Sequence, residues 1–503
     1  MKSRNIGLII SYIYFICNTI LGILISSFIV RKIGKTDYGV YQTVSSFAAY
    51  LVLLEFGTGT VMARNIALSS KENTDEINKN VSTVWLLTII LSGIIILFSF
   101  IFYLLIDIIY ANSLSVEQRL LGKRILIYVS INLLFSFLTQ TLNGVTLGYE
   151  VYSLDKIIAL IRLVMRTALI ICLLLYSSNV LFIVQIDAAL ALLNFIILYF
   201  FCRKKLRVNF SLKNFDKSIF FAIIPFCFAM LMETFVNTAN GNVDKFLIGI
   251  LLTPEDVTLY SISMVLFSMF STVATLPVSL FKPEIAKNVK NGIKGKELTA
   301  ILEKPCRQNV LITGLITFGL LIVGRQFIEI VYGVEYSDSW IYAMIIIVPL
   351  FLNMANAVII NVLDVMNKRM VRSIVLIVTT LLNIIATLIA LNTIGMIGAA
   401  IATGLSLIVQ TIIMDYYYFR HIGINVIYLY KKSFKGILLC LIGSAIVSYI
   451  PQLIIKSYIA QFFVSGMIFV IVFGLLFYFK GANISEKSNI QKILKKLKKN
   501  NHK

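Results

Sequence analysis

The chain has 503 residues, 59% of them hydrophobic and only 14% charged, with a mean hydropathy of +0.90. Soluble domains carry about a quarter charged residues, and disordered chains carry few apolar ones, so both classes are excluded. The net charge of +21 is read as membrane topology rather than a nucleic-acid surface, because basic residues accumulate on cytoplasmic loops.

Apolar runs bounded by charges fall at 6–30, 38–62, 81–106, 121–147, 155–176, 179–202, 218–243, 257–282, 307–331, 337–363, 370–392, 396–420, 433–451 and 457–480. A helix needs roughly 20 apolar residues to cross a bilayer. The runs therefore predict an all-α polytopic membrane protein of about fourteen transmembrane helices. The first run is too long for a cleavable signal and lacks a small-residue cleavage site. An even number of spans puts both termini on one side. With the N-terminus inside, 34 of the 45 Lys and Arg fall on inside segments and 9 on outside ones. The remaining two, Arg162 and Arg166, lie within the fifth span. The bias predicts N-in and C-in. The longest loop is expected at 283–306, too short for a soluble domain. In the tail, Ile490, Ile493, Leu494 and Leu497 recur at helical spacing among lysines, which predicts an amphipathic helix on anionic lipid headgroups.

The six cysteines form no C-x-x-C pair, and His421 and His502 are the only histidines. No disulfide framework, metal site or His-based catalytic constellation is expected.

The sequence also repeats. A shift of 219 superposes Asp37 on Asp256 and Tyr41 on Tyr260, and likewise Asn18, Thr19 and Gly22 on Asn237, Thr238 and Gly241. The shift spans six helices, so orientation is preserved and the repeats are parallel. This predicts two six-helix bundles, 1–205 and 206–424, two appended helices in 425–482, and a basic cytoplasmic tail, 483–503. Polar groups where the repeats meet would line a central cavity.

The stretch from Arg31 through Gly34, Asp37, Tyr38 and Gly39 to Tyr41, followed by Glu55-Phe56-Gly57, resembles the first hairpin of polysaccharide repeat-unit flippases. So does Asp244-Lys245-Phe246-Leu247-Ile248-Gly249 leading to Leu259-Tyr260-Ser261. These flippases belong to the multidrug/oligosaccharidyl-lipid/polysaccharide exporter (MOP) superfamily, with a fold like that of the MATE exporters. The first span lacks the arginines of lipid II flippases and the acidic residue usual in cation-coupled drug exporters, which favours the repeat-unit branch. The resemblance implies a multi-pass protein of the bacterial cytoplasmic membrane. It would move undecaprenyl-diphosphate-linked oligosaccharide to the outer leaflet, as a monomer without nucleic-acid partner or resident cofactor. H+ or Na+ coupling, and partnership with a polysaccharide polymerase and glycosyltransferases, would go with it. A small-molecule exporter on the same fold is the alternative. A membrane polymerase is disfavoured, because the outer loops are short and no D-x-D, D-x-E, E-x-D or E-x-E occurs.

A diphosphate head crossing about 30 Å of hydrocarbon needs a wet cationic cavity. Arginine forks suit phosphate oxygens. Arg162 and Arg166 are four apart and share a helix face, roughly 10 and 16 Å deep from the start of the span. Arg166 could pair with Asp187 at similar depth on the next span. Arg31, with Lys32 and Lys35, could hold diphosphate at the exit or simply bind outer-leaflet phosphates. Glu55, Asp187 and Glu233 are carboxylates within spans, Glu233 the leading coupling site and Glu55 the mark of a gate or a loosened helix end. Asn18, Asn237 and Asn240 are expected where the repeats meet, as helix glue or sugar contacts.

Overall fold

The computed structural model describes the backbone of residues 2–69, 74–211, 214–366, 368–484, 486–488 and 491. Side chains are described there except at 2–9, 11, 12, 16, 74, 152, 153, 226, 229, 230, 232, 233, 235–237, 239 and 240. The tail residues Ile490, Ile493, Leu494 and Leu497 lie outside the described residues, as do the side chains of Glu233, Asn237 and Asn240.

Every regular element among the described residues is helical. Among the described residues, eleven helical runs are long and apolar enough to cross a bilayer, or twelve if the pair Ser339–Ala355 and Ala357–Val365, bent by 50°, is one span. One of the eleven, Ile13–Leu68, has 56 residues. A straight helix of that length would measure about 84 Å, nearly three times the hydrocarbon thickness. It is interrupted twice. Helix α1, Lys2–Leu51, breaks at Gly34, where φ is 84° and ψ 170°. A short 3₁₀ turn, Val52–Glu55, then leads to Phe56 and Gly57, both left-handed, before α2, Thr58–Leu68.

The chain divides into two compact units. The first, residues 1–261 with 391–396, holds α1, α2, α3 (Thr74–Ile109), α4 (Val116–Gly148), α5 (Tyr152–Tyr176), α6 (Leu181–Lys204), α7 (Lys217–Leu251) and the start of α8 (Pro254–Ala274). By contacts, α7 groups with α1 in this unit. The caps follow local chemistry. Ser115 and Gln118 form a reciprocal capping box at α4, and the Asp216 carboxylate accepts from the amides of Ser218 and Ile219 at α7. Between α2 and α4, small residues permit close approach: a Cβ on Gly144 would overlap the Gly59 carbonyl, and one on Gly148 would overlap Ile66. Thr141 links these helices to α3 by hydroxyl contacts, 3.2 Å to Thr58 and 2.8 Å to Thr88. Val61, Met62, Val81, Val84, Leu142, Val145 and Leu198 form the apolar core around them.

Within this same unit the break in α1 lies against the start of α8. The Thr36 hydroxyl donates to the Glu255 carboxylate, and the Thr258 hydroxyl donates to the Lys35 carbonyl at 2.6 Å. Gly39 abuts the Pro254 backbone so closely that a Cβ there would overlap its carbonyl.

The second unit, 262–390 with 397–503, holds the rest of α8, then α9 (Leu276–Lys290), α10 (Gly295–Val331), α11 (Ser339–Ala355), α12 (Ile360–Val365), α13 (Arg369–Ile394, less its last residues), α14 (Met396–Tyr417), α15 (Val426–Phe434), α16 (Ile437–Ile454) and α17 (Tyr458–Leu476). Its core joins Ile285, Leu298, Leu302, Val362, Tyr418 and Leu429. The loop expected at 283–306 is not one. Helix α9 continues to Lys290 and α10 begins at Gly295, so only 291–294 connect them. Lys, Glu and Ala are good helix formers, and helix does not have to stop where hydrocarbon does. Arg307, counted by sequence among loop charges, is buried in α10. Its guanidinium donates to both carboxylate oxygens of Glu486, at 2.8 and 3.1 Å, and to the carbonyls of Gly481, Lys435 and Lys432 at 2.6, 2.9 and 3.2 Å.

Candidate functional site

Helices α1, α4, α5 and α6 of the first unit line a half-open cavity of about 370 Å³. Helix α5 supplies Asp155, Arg162 and Arg166 to it, all on one face, as the i, i+4 spacing of the arginines requires. Tyr14 and Asn18 come from α1, Asn143 from α4 and Asn194 from α6. The Asn194 Oδ1 atom is buried and without a hydrogen-bond partner. Asp155 accepts from the Thr146 hydroxyl at 2.8 and 2.9 Å.

The two arginines differ. The Arg166 guanidinium forks onto Asp187 of α6, with Nε to Oδ1 at 2.5 Å and Nη2 to Oδ2 at 2.9 Å. Arg162, one turn away, makes no hydrogen bond or ion pair among the described residues. A cation within a span is costly unless it meets a partner, water or a polar cavity. Arg162 has the cavity. Asp187 borders a second cavity of about 200 Å³, with Tyr41, Ser45 and Asn132. The ion pair thus stands in the wall between the two cavities, with Arg166 facing one and Asp187 the other.

Of the residues singled out from sequence, Asn18, Arg162, Arg166 and Asp187 come together here. Arg31 does not. It is exposed, on the same half of α1 as Asn18 but roughly 20 Å further along it. Glu55 ends the 3₁₀ turn at the break before α2, beside Gln140 of α4. Tyr14, Asn143, Asp155 and Asn194 were missed. Asn143 and Asn194 were legible as amides inside apolar runs, but only packing shows that they face the arginines. Among the described residues no group of three His, Cys, Asp or Glu could hold a metal.

The geometry places a cation, an ion pair and several amides around a cavity inside a membrane-spanning bundle. A family model described as "Polysaccharide biosynthesis protein" matches residues 4–289, more than half of the chain. The chain belongs to that family. It is 22% identical over 241 residues, 47% of its length, to the "Probable low-salt glycan biosynthesis flippase Agl15" of Haloferax volcanii. The match spans about half (48%) of that relative. Among solved structures the chain is similar to the lipid II flippase MurJ in an inward closed conformation, with a TM-score of 0.72, 16% identity, and 93% of this chain and 98% of that one covered. It is similar also to an inward-facing multidrug resistance MATE family transporter of the MOP superfamily, with a TM-score of 0.60, 14% identity, and 83% and 95% covered. These likenesses establish the fold of the family member: an all-α, polytopic, MOP-type bundle.

Proposed function

We propose that this protein is a flippase that carries undecaprenyl-diphosphate-linked oligosaccharide repeat units from the inner to the outer leaflet of a bacterial cytoplasmic membrane, by alternating access. The observation that carries this reading is the unpaired guanidinium of Arg162 in a cavity within the span Leu154–Tyr176. A guanidinium matches phosphate oxygens in geometry and charge. The amides of Asn18, Asn143 and Asn194 around it match sugar hydroxyls, and the lipid tail can stay in the bilayer. The family membership and the names of its relatives support the same class of cargo.

The topology belongs to this proposal. The sequence repeat supports bundles of six helices each, 1–205 and 206–424, with 425–482 appended and 483–503 as the tail. Eleven candidate spans are found among the described residues, or twelve with the bent pair; in this proposal the Ile13–Leu68 run crosses twice, divided at Gly34, and α7 crosses once, for fourteen crossings. The basic bias then puts both termini inside. Glu233 remains the proposed coupling carboxylate of α7, and Arg31 the proposed exit contact.

The test is depletion of the protein followed by assay of lipid-linked glycan in each leaflet. Complete repeat units accumulating on the inner leaflet are the expected result. Repeat units that reach the outer leaflet but stay unpolymerised would indicate a polymerase instead. Two unchanged pools, with new drug sensitivity, would indicate a small-molecule exporter.

A further inference from the structure

We propose that the end of α6 is a seat for an anionic phospholipid of the bilayer, with its phosphate between Arg203, Lys204 and Arg207 and an acyl chain along Leu193, Ile196, Ile197 and Phe200. The inference concerns the surface of the first unit and does not rest on the identity of the cargo.

One helix face carries the seat. At about 3.6 residues per turn, Leu193, Ile196, Ile197, Phe200, Arg203 and Lys204 share a face of α6, and all six are exposed. Apolar side chains therefore run into cations without a break, in the order in which a lipid presents its chain and its phosphate. Asp187, Asn194 and Leu198, which border the two cavities, fall on the other side of the helix. The seat thus faces away from the cavities, which favours a lipid of the bilayer over the cargo as its occupant.

The cations lack an anion. No Asp or Glu stands between Asp187 and Asp216 in the chain. Asp187 is engaged by Arg166, and Asp216 by the amides of Ser218 and Ile219. Arg203 donates to the Tyr199 hydroxyl at 3.3 Å, and the Lys204 ammonium lies 5.6 Å from the centre of the Phe200 ring. Both partners are neutral. Arg207 is exposed, and its side chain makes no hydrogen bond or ion pair among the described residues. Basic clusters at the cytoplasmic ends of spans draw anionic headgroups, and the proposed topology puts this end inside.

A cation in the last turn also offsets the helix dipole, which accounts for Arg203 and Lys204. It does not account for Arg207. Past the helix end Arg207 has a φ of 55°, the left-handed conformation that usually falls to Gly. The turn is held from behind. The Val208 amide donates to the Cys202 carbonyl at 3.2 Å, and both residues are buried in the apolar core. Phe210 packs 5.0 Å from Trp85 and 5.5 Å from Tyr199, and the Asn209 amide donates to the Asn78 side chain at 3.4 Å. Disfavoured backbone on a fixed turn points to a function for the side chain it carries. Here that side chain is a free guanidinium within four residues of two other cations, a group suited to phosphate oxygens.

The experiment uses the full chain in nanodiscs of phosphatidylcholine, with phosphatidylglycerol carrying a photoreactive acyl chain as the probe. Peptide mapping should place the label on α6 between 193 and 204. Unlabelled phosphatidylglycerol should displace it and added phosphatidylcholine should not. Arg203→Gln, Lys204→Gln and Arg207→Gly should each raise the probe concentration for half-maximal labelling about fivefold. Arg207→Gly suits the left-handed backbone, so its Tm in phosphatidylcholine alone should not fall. A fall there would make Arg207 a structural residue and overturn its role. Label spread evenly over the lipid-facing helices, or displaced as well by phosphatidylcholine, overturns the seat. The control is Lys294→Gln, Lys296→Gln and Lys304→Gln together, an equal loss of exposed charge in the second unit. If it weakens labelling of α6 as much as the three α6 substitutions combined, the attraction is to net charge alone and the seat fails. If undecaprenyl diphosphate displaces the probe at lower concentration than cardiolipin, which also carries two phosphates, the face takes cargo and the proposal fails. The wild-type mapping and displacement decide the matter even if a variant fails to fold.

Discussion

Thr36 and Glu255 are hydrogen bonded, and they stand 219 residues apart, the shift at which the two sequence repeats superpose. Each residue therefore touches its own repeat equivalent. The neighbouring contacts obey the same rule. Under that shift Lys35 corresponds to Pro254 and Gly39 to Thr258, so the contact of Gly39 with Pro254 and that of Lys35 with Thr258 exchange into one another. Together these contacts form a clasp at the break of α1.

The clasp should open if the cargo leaves past it. With cysteines at both positions, Thr36→Cys and Glu255→Cys, oxidation should join the two helix ends and stop glycan export, and reduction should restore it. Export that continues in the fully cross-linked protein would show that this junction stays closed through the cycle. Gly39→Ala tests the packing alone. The added methyl overlaps the Pro254 carbonyl, so a loss of about 1–3 kcal/mol is expected in thermal or denaturant unfolding.

Arg162 and Arg166 should separate by stability. Arg162→Ala removes no hydrogen bond, so unfolding should change by less than about 0.5 kcal/mol while export is lost. Arg166→Ala strands Asp187, and should cost about 3–5 kcal/mol. Adding Asp187→Ala to Arg166→Ala should recover part of that loss, which a double-mutant cycle on the purified protein measures.

Arg307→Ala should loosen the end of the second unit. It removes five hydrogen bonds that draw Glu486, Gly481, Lys435 and Lys432 onto α10. It also leaves backbone carbonyls unsatisfied. Hydrogen exchange should accelerate in α15 and at the amino end of α16 but not in the first unit. Of these five bonds, truncation after Ala482 removes the two to Glu486 and leaves the three to carbonyls, so it should have a smaller effect on the same amides.

Asp216 sets a pH dependence at the start of α7. Its carboxylate is held below the ordinary value of 3.8, first by the Ser218 hydroxyl and then by the amides of Ile219 and Ser218. A group depressed on folding contributes stability that is present above its unfolded value and lost as pH falls through the lower folded one. Between pH 7 and 5 the amides of Ser218 and Ile219 should stay protected, once intrinsic exchange rates are allowed for. That protection should fade below about pH 4. Asp216→Asn should lack this acid-side loss. An unchanged profile in the variant would remove the carboxylate as the cause.

The spans, the basic bias and the repeat shift were all legible in the chain, because each depends on local composition or on counting. The Arg166–Asp187 pair was legible too, since two opposite charges at one depth on successive helices have few other partners in hydrocarbon. Sequence could not show that α4, α5 and α6 close with α1 around Arg162, or that Asn143 and Asn194 turn toward it. Nor could it show that Arg31 stands apart from it. Those facts depend on which helix faces meet, and faces meet through contacts such as Gly144 on Gly59, whose partners are far apart in the chain. Sequence likewise counted Arg307 as a loop charge, because burial by Glu486 and three distant carbonyls leaves no trace in local hydropathy. The amino-acid order determined what must lie in the membrane and which charges it must carry there. Only the tertiary structure decided which of those charges are neutralised by a neighbour and which are left facing a cavity, because that depends on long-range packing rather than on any residue's own polarity.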